Sequence, residues 1–128
     1  FDAEKISKYS AMDVKRLLND KGVIRNKRKI DSAINNAKKF LETKKEFGKF
    51  DSYIWSFTGY KTITNRFKNW EEIPATSKES EEMSRDMKAR GFTFVGPTVC
   101  YAFMQTVGMV NDHIAGCFRK KELDSIAR

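Results

Sequence analysis

Apolar residues in this chain recur in steps of three and four, and nowhere alternate with polar ones long enough to suggest a sheet. From Lys27 to Phe47 the positions Ile30, Ala33, Ile34, Ala37 and Leu41 follow the helical period, which predicts a long helix with one buried stripe, ended by Gly48. Before it, Ser10 with Asp13 three positions later marks the start of a helix over 11–20, and Gly22 lies just past its end. A short helix over Phe50–Phe57 puts Trp55 in the core and stops at Gly59; residues 60–75 read as irregular. Thr76 with Glu79 forms a capping pair for a helix over 77–90, and Gly91 supplies its left-handed end. Pro97 suits the first position of the next helix, where a missing N–H costs nothing, and this helix runs to Val107 before Gly108. A last helix is predicted from near Asn111, carrying His113 and Cys117. The expected fold is all-α, a helical bundle forming one domain over residues 1–128.

Charge changes this picture more than composition does. Residues 15–49 carry twelve Lys and Arg against four Asp and Glu, so the whole net charge of +8 is concentrated there. Such a field attracts a polyanion, nucleic acid or an anionic membrane surface, and it is equally compatible with a solvated helix face. No stretch approaches the roughly 18 apolar residues of a membrane span, so no membrane partner is expected. The amino terminus has no apolar signal region, does not begin with Met, and reads as a helix entered partway, as a fragment would. Cys100 and Cys117 are the only cysteines, and two thiols without a secretory signal point to the reducing cytoplasm.

Residues 83–113 are the informative segment. They read as helix, tight glycine-containing turn, helix, the second helix opening at Gly96-Pro97-Thr98. Glycine lets a ligand approach the backbone, and the unpaired amides of a helix start donate to anions. This is the plan of a helix-hairpin-helix, spanning about 77–108, which grips a DNA phosphate through backbone N–H groups. A plain packing corner has the same local pattern.

The run GFTFVGPTVCYAFMQTVGMVNDH, Gly91 to His113, resembles the signature region of the DNA-3-methyladenine glycosylase I family within the helix-hairpin-helix superfamily. The segment GVIRNKRKIDSAINNA from Gly22 to Ala37, the triplet Trp55-Ser56-Phe57, and His113 with Cys117 match in the same order. The resemblance implies a base-excision enzyme that hydrolyses the N-glycosidic bond of 3-methyladenine in alkylated duplex DNA after base flipping. It assigns Thr93, Phe94, Val95, Gly96 and Thr98 to the DNA-binding hairpin, with Phe94 where many relatives have glycine; the exchange costs little if that position keeps a negative φ. Asn111 stands where many superfamily members have a catalytic aspartate, and an amide cannot ionise. A cationic base is already a good leaving group, so rate then comes from flipping, stacking and charge selection. Asp112 is a candidate substitute base, or equally the N-cap of the last helix. No lysine takes the place of a Schiff-base nucleophile, which argues against lyase activity.

His113 and Cys117, at i and i+4 of the predicted last helix, share one face, and in the family they supply half of a structural zinc site. Cys100 reads as core. The resemblance places the other two ligands, the pocket glutamate and the base-stacking aromatics in an amino-terminal third upstream of Phe1, so the catalytic residues are unknown within this numbering and that segment is an expected partner. Tyr101 and Phe103 fall near the pocket by analogy, while Trp55 and Trp70 read as packing. Two further readings stay open: a non-catalytic helix-hairpin-helix module or degenerate fragment, and a basic helical protein for RNA or membrane. The oligomeric state is not legible.

Overall fold

The computed structural model describes residues 1–127; Arg128, the last position of the expected 1–128 domain, lies outside the described residues. Along the chain come α1 (Ala3–Ile6), α2 (Ala11–Asn19), α3 (Lys27–Phe47), α4 (Phe50–Ser56), β1 (Ile63–Thr64), a 3-10 turn (Trp70–Glu72), α5 (Lys78–Ala89), α6 (Pro97–Thr106), β2 (Val110–Asn111) and α7 (Phe118–Ile126). The fold is all-α. The extended pairing among the described residues is a two-residue parallel bridge that sets Ile63 opposite Val110 and Thr64 opposite Asn111. It sits inside the stretches expected to be irregular and to begin the last helix.

Local chemistry explains most element ends. The Asn26 side chain accepts from the Lys29 amide at 3.2 Å to open α3, and Gly48 closes it at φ +77°. At α2 the Asp13 carboxylate takes the Ser10 amide at 2.9 Å and its hydroxyl at 3.0 Å. Those bonds, the backbone one foremost, hold the Asp13 carboxyl below its ordinary range. The start of α5 differs from the expected Thr76–Glu79 pair by one position. Ser77 and Ser80 cap each other, the Ser80 amide donating to Ser77 Oγ at 3.2 Å and the Ser77 amide to Ser80 Oγ at 2.8 Å. A serine hydroxyl fills the role usually given to a longer acid.

The buried cluster joins Tyr53, Ile54 and Trp55 of α4 with Met83 of α5, Cys100, Tyr101 and Met104 of α6, and Phe92, Val95, Met109 and Val110 from the connections. Met83, Met104 and Met109 are completely enclosed, a place suited to unbranched side chains that follow irregular gaps. Trp55 is buried as expected, whereas Trp70 is 68% exposed and packs into no core. The stripe expected on α3 is only partly realised. Ile30 and Ala37 are buried, Ile34 and Leu41 are half-buried, Ala33 is exposed, and polar Ser32 and Thr43 are buried instead. The reason is that α3 serves two sides: α1 and α2 lean on one flank, while α4 and the α5–α6 connection occupy the other.

Arg90, closing α5, ties those layers together. Its Nε donates to Asp86 at 2.7 Å and one terminal nitrogen to Glu46 of α3 at 2.7 Å, while the guanidinium lies 4.9 Å from the Phe47 ring centroid and 5.0 Å from that of Tyr53. Tyr53 completes the knot by donating to Asp86 at 2.7 Å; burial, reinforced by that carboxylate, raises its phenol above the ordinary range. Arg90→Met keeps an unbranched stem over both rings and deletes the charged bonds. It should lower stability by about 2 kcal/mol in denaturant titration; an unchanged midpoint would show that the rings alone hold α3 to α5.

Candidate nucleic-acid interface

Between α5 and α6 the chain turns through Gly91–Gly96, and its backbone groups are divided between two fates. The carbonyls point to internal donors. Asn35 Nδ2 donates to Gly91 O at 2.8 Å, Asn36 Nδ2 to Thr93 O at 2.8 Å, and Ser84 Oγ to Val95 O at 2.6 Å. The Cys100 thiol, kept neutral because burial raises its pKa, adds a long contact of 3.6 Å to Val95 O. The first amides are also used internally: Phe92 donates to Met87 O at 3.0 Å and Thr93 to Asn36 Oδ1 at 2.9 Å. The next three, those of Phe94, Val95 and Gly96, find no acceptor among the described residues. No side chain caps α6, which begins with Pro97. With the carbonyls of Gly91, Thr93 and Val95 taken and three consecutive amides left over at a helix start, the hairpin has an arrangement suited to receiving an anion.

Phe94 departs from expectation. Its φ is +57°, not negative, a left-handed conformation costing a non-glycine residue roughly 1–2 kcal/mol. Glycine at this position in a hairpin of this kind has a direct physical sense, and phenylalanine occupies it here at the cost of strain. Its ring is half-exposed, with the Arg28 guanidinium 5.9 Å from the centroid. Gly96 has φ −64°, and a Cβ there would meet nothing within 4 Å, so its surroundings are open. Thr93 and Thr98 are exposed, and Val95 is buried as the hairpin's hydrophobic anchor. An open cleft of about 650 Å³ runs between α3 and the hairpin, with Arg28 and Lys88 among its walls. Neither cation is ion-paired among the described residues, so both contribute positive potential beside the free amides.

The segment after α6 corrects the expected last helix. Val110–Asn111 is extended, residues 112–117 form a loop, and α7 begins only at Phe118, with Cys117 as its N-cap residue. His113 and Cys117 therefore share no helix face. Asp112 caps nothing. It is buried, and its carboxylate accepts from Asn65 at 2.7 Å, Tyr101 at 2.6 Å and Gln105 at 2.8 Å, a pin between the β1 segment and α6. Burial first, then that carboxylate, raises the Tyr101 phenol above its ordinary range. Asn111 is also spoken for: it donates to Asp124 at 2.8 Å, and its Oδ1 lies 2.9 Å from His113 Nδ1. An oxygen acceptor there selects the Nδ1–H tautomer and leaves the Nε2 lone pair open. Asn111 and Asp112 are polar, buried and hydrogen-bonded to other elements, so this segment pairs and loops where a helix was expected.

Comparison with known proteins decides the family. The family model described as methyladenine glycosylase matches residues 1–120. The chain belongs to the methyladenine glycosylase family. It is 38% identical over 117 residues to the DNA-3-methyladenine glycosylase of Haemophilus influenzae and 39% identical over 117 residues to DNA-3-methyladenine glycosylase 1 of Escherichia coli. Each match covers 91% of this chain and 63% of the relative, so the chain spans less than two-thirds of the length of these curated relatives. Among solved structures, a crystal structure of 3-methyladenine DNA glycosylase I superposes with a TM-score of 0.87 at 39% identity, covering 91% of this chain and 64% of that one. The Staphylococcus aureus 3-methyladenine DNA glycosylase I, at 24% identity, TM-score 0.89, and coverage of 93% and 63%, agrees in fold.

Within this family framework, two groups of residues escaped the sequence reading. Ser32, Asn35 and Asn36 lie at i, i+3 and i+4 on α3, a spacing that was legible, but short polar side chains on a basic helix read as solvated surface. The Asp112 pin was hidden because its partners come from residues 65, 101 and 105, which only the folded chain brings together. Tyr101 is buried and Phe103 lies at the surface margin, 36% exposed, so the two aromatics placed near the pocket by analogy have different surroundings. No group of three or more His, Cys, Asp or Glu side chains positioned for a metal exists among the described residues.

Proposed function

We propose that the protein to which this chain belongs excises 3-methyladenine from alkylated duplex DNA by hydrolysing the N-glycosidic bond, as a monofunctional enzyme of cytoplasmic base-excision repair. Family membership supports the reaction class, and one structural observation supports the DNA contact: the free amides of Phe94, Val95 and Gly96 beside uncapped α6. In this reading those amides, with Thr93 and Thr98 at the rim, take one backbone phosphate. Arg28 and Lys88 hold the strand against the hairpin, so the damaged nucleotide can leave the stack.

The bond to be broken joins C1′ of the sugar to an already cationic base. Water supplies the hydroxyl to C1′, the base leaves with the bonding pair as a neutral molecule, and one proton is released. Among the described residues, neither Asn111 nor Asp112 is a free base for that proton. Asn111 cannot ionise, and the Asp112 carboxylate is filled by three donors, so the role of substitute base falls away. Catalysis here therefore rests on binding: the enzyme gains rate by holding an extruded nucleotide whose base is a good leaving group. The base-contacting groups belong to the share of the relatives' length that this chain does not span.

We assign His113 and Cys117 to a structural zinc site completed by that same remaining portion. Their donor types suit zinc, and the open Nε2 of His113 supports the assignment. Two donors do not close a tetrahedral site, and no step of the reaction is routed through the ion. In the intact protein, His113→Ala should lower bound zinc, measured by atomic emission against protein concentration, from one per chain to well below half. Retention of stoichiometric zinc would exclude His113 as a ligand.

The enzymatic reading is tested by incubating the intact protein with methylated duplex DNA and quantifying the freed base. Release of 3-methyladenine above the spontaneous rate is expected; none above background leaves a non-catalytic DNA-binding module. Gly96→Glu should weaken duplex binding about tenfold or more by placing a carboxylate against the phosphate, with little change in melting temperature because the site is open. Unchanged affinity would make the hairpin a packing corner.

A further inference from the structure

The hairpin is not self-supporting. The α5 Ser84 hydroxyl holds Val95 O from below, but Thr93 is held across the fold by Asn36 and Ser32 of α3, 57 and 61 residues earlier in the chain. There, Asn36 makes a two-pronged amide pair with one residue's backbone: its Oδ1 accepts the Thr93 N–H at 2.9 Å and its Nδ2 donates to the Thr93 carbonyl at 2.8 Å. This is the pairing a neighbouring strand would provide, supplied by a single side chain. Ser32 adds to it, accepting the Thr93 hydroxyl at 2.9 Å. Immediately after the clasped residue comes Phe94, a non-glycine residue in the left-handed region, and the free amides run from Phe94 itself through Val95 to Gly96.

We propose that Asn36 is a positioning residue for phosphate recognition: by fixing both backbone groups of Thr93 it holds Phe94 in its left-handed conformation, and so keeps the amides of Phe94, Val95 and Gly96 aimed at a single DNA phosphodiester. The inference rests on the DNA-binding reading above. An L-residue at positive φ persists only where its surroundings impose it. The clasp acts on the residue before the strained one, and the Arg28–Phe94 contact acts on the ring itself. Without the clasp, Phe94 relaxes towards negative φ, which rotates the following peptide planes and disperses the donors. Asn36 itself touches no ligand in this account. Its loss is felt one phosphate away.

The test pairs protein variants with DNA variants. Intact protein is titrated with a short fluorescent duplex carrying one tetrahydrofuran abasic analogue, and with duplexes in which single phosphates near that site are replaced by neutral methylphosphonate. Wild type should show one phosphate whose neutralisation weakens binding about tenfold. Asn36→Ala should bind the normal duplex about tenfold more weakly and lose most of its sensitivity to that phosphate, while keeping its sensitivity to the others. A purely structural defect would weaken all duplexes alike and preserve the phosphate preference. Asn36→Asp, which has the same shape and retains the acceptor for the Thr93 amide, covers the case in which Asn36→Ala fails to fold, and should behave the same way to a smaller degree. Introducing Phe94→Gly removes the strain that the clasp opposes, so adding Asn36→Ala in that background should cost less than it does alone. Equal phosphate sensitivity in wild type and both Asn36 variants overturns the inference while leaving DNA binding intact. A wild type indifferent to every phosphate overturns the DNA-binding reading itself.

Discussion

The structure turns on how the Gly91–Gly96 backbone shares out its hydrogen-bonding groups. Every buried backbone polar group needs a partner, and a tight turn between helices usually meets that need through its own neighbours or water. Here the carbonyls of Gly91, Thr93 and Val95 are taken by side chains of α3 and α5, and the amides of three successive residues are left over. Much of the rest follows from that division. Ser32 on α3 and Ser84 on α5 are buried because they serve the hairpin, and the Asn35 and Asn36 amides face it for the same reason. The Phe92 and Val95 side chains anchor the turn in the same core that holds Met83 and Met104. The Arg90 knot fixes the distance between the two helices that do the holding.

The same division accounts for the placement of charge. The basic excess of residues 15–49 falls largely on α3 and its approach, and α3 is the helix that borders the hairpin cleft. Two of its lysines pair locally, Lys27 with Asp31 at 2.6 Å and Lys39 with Glu42 at 2.8 Å. Arg28 and Lys88 remain beside the amides. In the proposed DNA complex, long-range attraction is assigned to the helix as a whole and register to a few neutral N–H groups. Positioning and attraction are thus carried by different chemistry on adjacent elements.

Much of this was legible in the sequence, for identifiable reasons. Gly48, Gly91, Gly108 and Pro97 act through backbone conformation alone, so the ends of α3, α5 and α6 could be read within a residue. Thr93, Phe94, Val95, Gly96 and Thr98 could be placed together between two helices because that stretch is contiguous. Features built across the chain were not. The β1–β2 bridge pairs residues 47 apart, and it converts the expected helix around Asn111 into an extended strand and loop. The left-handed Phe94 could not be foreseen from local preference, since its conformation is imposed by a clasp from Asn36. Tertiary hydrogen bonds between distant polar residues decide each of these cases, and hydrophobic periodicity carries no record of them.

The most direct test of this account is residue-resolved amide hydrogen exchange of the intact protein with and without duplex DNA. The account predicts that Phe94, Val95 and Gly96 exchange rapidly in the free protein and become protected on binding, while Phe92 and Thr93, already bonded internally, are protected in both states. Slow exchange at 94–96 without DNA, or exchange there that DNA leaves unchanged, would contradict it.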